Sequence, residues 1–306
     1  MYKNEIVKSI LEEYNQKRSE ENQRASMYEK NAFEIPELKS INNEIRTLNL
    51  EISKAEFASE KNKVNKLKKI QEEKLKLQND LFEKYNINPQ YLKPVYECKH
   101  CEDTGFENGE PCKFCFDKAY KLKLYELCGV KLKDIPVLSK INVNFYDEKA
   151  EENKKIIQQI NNNLNNNKIK SILLTGKTGT GKTYISKSFV KNCIAENKYI
   201  KFVSAYNLVR DIYNFDNAFE AMQKYIDYDV LVIDDLGTEP KYKNLIENLL
   251  NIINERANKL TLINTNMSLS GISEIYGERI LSRMANRERS LVFNFNGPDL
   301  NLKIRK

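Results

Sequence analysis

The stretch LLTGKTGTGKT, residues 173–183, leaves this chain few ways to fold. Gly176, Gly181, Lys182 and Thr183 match the phosphate-loop pattern G-x-x-x-x-G-K-[ST], with an apolar run before it and a helical pattern after it. Such a loop works only when a strand delivers it and a helix leaves it. Backbone N–H groups along Gly176, Lys177, Thr178, Gly179, Thr180 and Gly181 then wrap phosphate oxygens at the helix N-terminus. Lys182 would reach the β- and γ-phosphates, and the Thr183 hydroxyl would ligate Mg²⁺. An α/β domain that binds ATP or GTP is therefore expected.

The rest of the C-terminal half agrees. SILLTG, YIKFVSA, DVLVIDD, LTLINTN and SLVFNF are short β-rich runs, and helical patterns separate them at 182–196, 207–226, 243–258 and 273–286. Strands alternating with helices predict a mostly parallel sheet covered on both faces. The Asn-rich run at 161–167 reads as a loop ahead of the first core strand. DVLVIDD buries four apolar residues and delivers Asp234 and Asp235 to the strand's C-terminal end, where Asp234 would hold Mg²⁺ and Asp235 could orient an attacking water. LTLINTN ends in amides. Asn264 is the first choice to polarise that water or sense the γ-phosphate and Asn266 the second, with turn chemistry as the alternative. GERILSRM puts Arg279 and Arg283 four apart on one helix face, either as a solvated pair or as an arginine finger for a neighbouring subunit.

The N-terminal third has a different texture. Ile6, Val7, Ile10, Leu11 and Tyr14 form one helical stripe, and Leu38, Ile41, Ile45, Leu48, Ile52 and Ala55 follow a heptad pattern. Leu67, Ile70, Leu77 and Leu81 follow after a polar interval around Ser59–Asn65, which predicts a helical hairpin. The lysine-rich run at 61–69 reads as a solvated face, and Pro89 and Pro94 end the helical region. Two Cys-x-x-Cys pairs come next. Cys98, Cys101, Cys112 and Cys115 have the spacing of a closed, structural four-thiolate Zn²⁺ site, with Gly105 and Gly109 turning the chain between the pairs. His100, the one histidine, is expected to face solvent, because four cysteines already complete the site. Cys128 and Cys193 stand alone.

With 306 residues there is room for an ordinary domain plus a smaller one. No run approaches the ~20 apolar residues of a membrane span. The charged N-terminus lacks the apolar core of a signal peptide, so the cytoplasm is expected. The net charge of +7 permits a nucleic-acid partner without demanding one.

Taken in order, TGKTGTGKT, VLVIDDLGTE, INTNM and GERILSRM resemble the AAA+ helicase loaders of the DnaC/DnaI type, whose core the transposition helper IstB shares. The resemblance covers roughly residues 140 to 306. It implies an AAA+ ATPase domain at 146–306, preceded by a helical partner-binding region at 1–95, a zinc knuckle at 96–120 and a linker at 121–145. It also implies functional positions at Lys182, Thr183, Asp234, Asp235 and Asn264, with Arg283 as the finger and Arg279 beside it. A replicative DNA helicase is the implied partner of the N-terminal region, single-stranded DNA is a second, and the working form is a homo-oligomer. A helper ATPase acting on a transposase is the alternative. A zinc-dependent nucleic-acid binder with a vestigial ATPase is a third reading, opposed by the intact Lys182, Thr183 and Asp234.

Two features depart from the pattern. Asp234-Asp235 stands where many AAA+ proteins have Asp-Glu, which softens the general-base assignment. The sequence runs only forty residues past Asn266, leaving no room for a helical lid, and Arg305 is the substitute for a lid arginine. Tyr206, Arg210, Tyr213, Phe215 and Lys224, in the segment after the second core strand, could stack on bases and track phosphates or simply pack.

Overall fold

A computed structural model of the chain describes residues 3–164, 166, 168–214, 218–240 and 244–303. It divides into two compact units, Lys8–Phe116 and Asp117–Lys306 together with Met1–Val7.

The first unit is built from α1 (Asn4–Ala32), α2 (Pro36–Phe57) and α3 (Lys61–Lys84). Pro36 opens α2, where its missing N–H costs nothing and its fixed φ already suits the helix. Leu38, Ile41, Ile45, Ile52 and Ala55 are the buried residues of α2, and Phe82 of α3 packs with the first three. The expected hairpin is present, with a turn confined to Ala58–Glu60 and Ser59 at φ 57°. Leu77 is off the seam, 47% exposed. The half-buried side of α3 runs instead through Lys74 and Gln78, and Lys74 pairs with Glu44 of α2 at 2.6 Å. Between the cysteine pairs, β1 (Phe106–Glu107) and β2 (Glu110–Pro111) form a small antiparallel hairpin. Asn108 and Gly109 turn it with φ of 54° and 83°, the positive values that a two-residue type I′ turn requires.

The second unit begins with α4 (Phe116–Leu127) and α5 (Ala150–Asn162) and continues into a five-stranded parallel sheet. Its strands are β3 (Ser171–Thr175), β4 (Ile200–Ser204), β5 (Val230–Leu236), β6 (Leu260–Thr265) and β7 (Ser290–Asn294), in the order β4-β5-β6-β3-β7. All five residues of β3 are buried, as a strand covered on both faces must be. The helices are α6 (Lys182–Ala195), α7 (Ala205–Asn214), α8 (Ala218–Asp227), α9 (Leu245–Glu255), α10 (Leu269–Tyr276), α11 (Glu278–Met284) and α12 (Leu300–Lys303).

Several expectations need correction. The helix expected at 207–226 is two, α7 and α8, and Phe215 lies outside the described residues. The helix expected at 273–286 is also two, broken at Gly277 with φ 86°. The Asn-rich run starts inside α5, which includes Asn161 and Asn162. Residues 121–145, expected as a linker, are woven into the sheet domain. Leu124, Cys128, Leu132 and Leu138 are buried there, and the Cys128 carbonyl accepts the Phe202 N–H of edge strand β4 at 2.7 Å. An edge strand carries unpaired backbone groups, and this segment takes one of them up. The cysteine hairpin, drawn in sequence as a unit of its own, lies in the same compact unit as α2 and α3. After β7 the described residues add only α12, and Arg305 lies outside them. No described helix is long and apolar enough to cross a membrane.

Candidate nucleotide site and metal centre

The turn from β3 into α6 is held by left-handed glycines. Gly181 has φ 85°, and a Cβ there would press on the Tyr146 hydroxyl at 2.7 Å, so both conformation and space call for glycine. Lys182 follows in the first turn of α6 and is 5% exposed. Its ammonium donates to the carbonyls of Gly176 (2.7 Å) and Lys177 (2.8 Å) and to Asn266 Oδ1 (2.8 Å). Burial pulls its pKa down, and the carboxylates of Asp235 and Asp234 oppose that pull.

Asp234 ends the buried part of β5. Its Oδ1 accepts from Thr183 Oγ1 at 3.1 Å and from Asn264 Nδ2 at 2.5 Å. Asn264 is wholly buried and also accepts from Ser186 Oγ at 2.9 Å. Loss of water pushes the Asp234 pKa up, and the Asn264 amide works against it. The next residue faces elsewhere. A β-bulge between Ile233 and Leu236 inserts one extra residue against β6, and Asp235 sits there at φ 55°. This turns Asp235 into the cleft beside the phosphate loop, half-buried.

The cleft has a volume of ≈ 510 Å³, in the range of small-molecule sites. Its polar side is Thr178–Thr183 with Asp235 and Asn266, and its apolar side is Ile135, Ile141, Phe145, Tyr146 and Tyr184. Four of its lining residues, Ile135, Ile141, Asn142 and Phe145, come from the stretch expected as a linker. A buried ammonium bonded to two carbonyls and an amide, and to no carboxylate, suits a polyphosphate. The hydroxyl–carboxylate pair of Thr183 and Asp234 suits its magnesium.

The two amides divide the work differently from the expectation. Asn264 stands behind Asp234, out of the cleft, while Asn266 lines the cleft and touches Lys182. The arginines are not brought to this cleft. Arg279 and Arg283 are exposed on α11, and Arg283 lines a separate hollow with Lys170, Arg256 and Arg289 at the opposite, N-terminal ends of β3, β6 and β7. Sequence reading passed over Arg256 altogether. It is 2% exposed and donates to Thr261 Oγ1 and to the carbonyls of Tyr225, Ile226, Tyr228 and Leu260, tying the end of α8 to the start of β6. Nothing in its neighbourhood of sequence marks it out.

In the other unit the four thiols converge. Sγ atoms of Cys98, Cys101, Cys112 and Cys115 all lie within 4.8 Å of one another, with Cys98–Cys112 at 3.8 Å and Cys101–Cys115 at 3.5 Å. A tetrahedral zinc with Zn–S of about 2.3 Å needs S···S of about 3.8 Å, so the donor set fits the ion. Asp103, itself buried, accepts the N–H groups of Glu97 (2.9 Å) and Cys98 (2.8 Å) and so sets the backbone of the first ligand. His100 stands outside the cluster, exposed and stacked on Phe114 with ring centroids 3.5 Å apart.

Residues 126–288 match the family described as IstB-like ATP binding protein, which is more than half of the chain. The chain belongs to that family. Its nucleotide unit is a P-loop domain with an IstB-like ATP-binding core. The replicative helicase loader DnaC of Escherichia coli (strain K12) is 25% identical over 123 residues, 38% of this chain and 50% of that protein. A putative ATP-binding protein of insertion sequence IS5376 from Geobacillus stearothermophilus is 29% identical over 140 residues, 44% of this chain and 56% of that protein. This IstB-like chain thus spans about half the length of these curated relatives. A crystal structure of DnaI aligns with TM-score 0.46 and 21% identity over 54% of this chain and 90% of that one.

Proposed function

We propose that this IstB-like protein is an ATPase that helps load a replicative ring helicase onto single-stranded DNA. The observation that carries the catalytic part is the convergence of Lys182, Thr183–Asp234, Asp235 and Asn266 at the C-terminal ends of β3, β5 and β6. ATP with its magnesium supplies the phosphoanhydride and the cation that neutralises it. Lys182 would take charge from the β/γ-phosphates, and Thr183 and Asp234 would hold the metal. Asp235, aimed by its bulge, would orient the attacking water, and Asn266 braces Lys182 by accepting from its ammonium. Arg283, on the far end of the strands from this cleft, serves a neighbouring subunit. Asn264 has a positioning role through Asp234.

The Cys₄ unit carries the partner-binding part: a metal stabilises a small unit whose own core is slight and so holds α1–α3 in shape for a protein partner. On α7, Tyr206 is 47% exposed and Arg210 is exposed beside it, as contacts to single-stranded DNA would require, whereas Tyr213 packs against the sheet domain's core. The insertion-sequence relative favours a second reading, a helper ATPase acting on a transposase.

One experiment separates the two. The full chain is mixed with a replicative helicase or with the transposase from the same genome, and binding is followed by co-sedimentation. The helicase mixture is then tested for ATP-dependent retention on circular single-stranded DNA. Loading of the helicase is expected; binding to transposase alone would overturn the loader reading.

A further inference from the structure

The route of the chain after β7 points to a cover for the nucleotide supplied by the same subunit. Phe295 is wholly buried and donates its N–H to Thr175 O at 2.8 Å, and the Asn296 carbonyl accepts from Asn153 Nδ2 at 3.1 Å. The backbone then passes Tyr146 at Gly297 and reaches the phosphate loop, where Leu300 N–H donates to Gly179 O at 2.9 Å. Leu300 Cδ1 lies 3.2 Å from where a Cβ of Gly181 would be, next to the Tyr146 hydroxyl. Leu300 and Asn301 thereby line the same cleft as Lys182, Thr183 and Asp235.

We infer that Gly297–Asn301 is a strap that closes over bound nucleotide, with Leu300 as its contact residue. The proposal rests on reading the cleft as an ATP site and adds to it the element that governs nucleotide release. A competing anion is the obvious alternative, since Asp299 lies directly against Gly179. Yet Asp299 is not among the residues that line the cleft, and its Oδ1 is taken up by Asn301 N–H at 2.9 Å. What faces the cleft is an apolar side chain and an amide, which can touch a nucleotide without repelling its charge. A single backbone hydrogen bond fastens Leu300 to the loop, so the strap can lift during each turnover.

The test is stopped-flow release of a fluorescent ADP analogue from the full chain. Leu300→Ala should release it about tenfold faster, the scale of effect for apolar groups removed from a binding pocket. Leu300→Met should stay near the wild-type rate. Asn301→Ala, at an exposed position whose change leaves the fold intact, should also speed release. Leu302→Ala should not, because that side chain is 66% exposed and lies outside the cleft. Lys182→Ala keeps the two readings apart. If it binds the analogue as tightly as wild type does, the cleft is not the ATP site and the strap proposal falls with it. If Lys182→Ala fails to bind while Leu300→Ala and Asn301→Ala release at the wild-type rate, the strap alone is refuted. Equal acceleration by Leu302→Ala would also refute it, since the effect would then not run through contact with the nucleotide.

Discussion

Lys182 is buried among acceptors that carry no full charge, which makes it the residue on which nucleotide affinity should turn. Lys182→Ala is expected to abolish ATP binding and turnover, read by calorimetry and steady-state phosphate release; unchanged affinity would remove the assignment. The neighbouring amides should separate cleanly. Asn266→Ala touches the cleft and should slow turnover with little change in melting temperature. Asn264→Ala leaves Ser186 without its partner and Asp234 with only the Thr183 hydroxyl, so it should also lower folding stability by about 1–3 kcal/mol in denaturant titrations. Equal stability in the two variants would contradict this division. Arg256 is a purely structural counterpart. Burial brings its pKa down to about 10, so it stays charged at neutral pH, and Arg256→Ala should destabilise by about 3 kcal/mol or more without altering nucleotide affinity in the protein that still folds.

At the scale of elements, the two units should respond to different injuries. Cys98→Ser with Cys101→Ser removes half the thiolates of one site, so zinc by elemental analysis should fall from one per chain to none. Amide exchange should then speed up around β1 and β2, while ATP binding by the sheet domain remains. Wild-type protein that holds no metal and still protects that hairpin would exclude a structural zinc. The β5 bulge shows how an element aims chemistry. Two adjacent carboxylates on a regular strand point to opposite faces, and the extra residue lets Asp234 stay buried while Asp235 reaches the cleft. Helix α11 makes the converse point, since it places Arg283 where its own cleft cannot use it.

That placement sets the expectation for the assembled molecule. If Arg283 acts on a neighbour, Arg283→Ala should bind ATP normally yet lose about 10³-fold in turnover, the lower end of the effect of a trans arginine in related phosphoryl transfer. Mixing it with Lys182→Ala subunits should restore part of the rate, because some interfaces then join an intact clamp to an intact finger. Wild-type turnover per chain should rise with protein concentration and with single-stranded DNA. A rate independent of both, measured across a wide concentration range, would make Arg283 a surface residue.

The phosphate loop, the buried strands and the cysteine spacing were legible in the sequence because each is a local pattern. Glycine and lysine at set intervals, a period of apolar residues and paired thiols carry their geometry with them. Residues 121–145 read as linker, and only the burial of Leu124, Cys128, Leu132 and Leu138 in the sheet domain, with Ile135, Ile141 and Phe145 lining the cleft, shows what they do. The choice between Asn264 and Asn266 depended on which amide the end of β6 turns inward, and that of Asp235 on a bulge whose register is set by the partner strand. Arg256 and Leu300 gave no sequence signal at all. Their partners lie on other elements or far along the chain, and such contacts exist only once the sheet has assembled. Local rules therefore determined the elements and the kind of chemistry, and non-local packing decided which side chains meet.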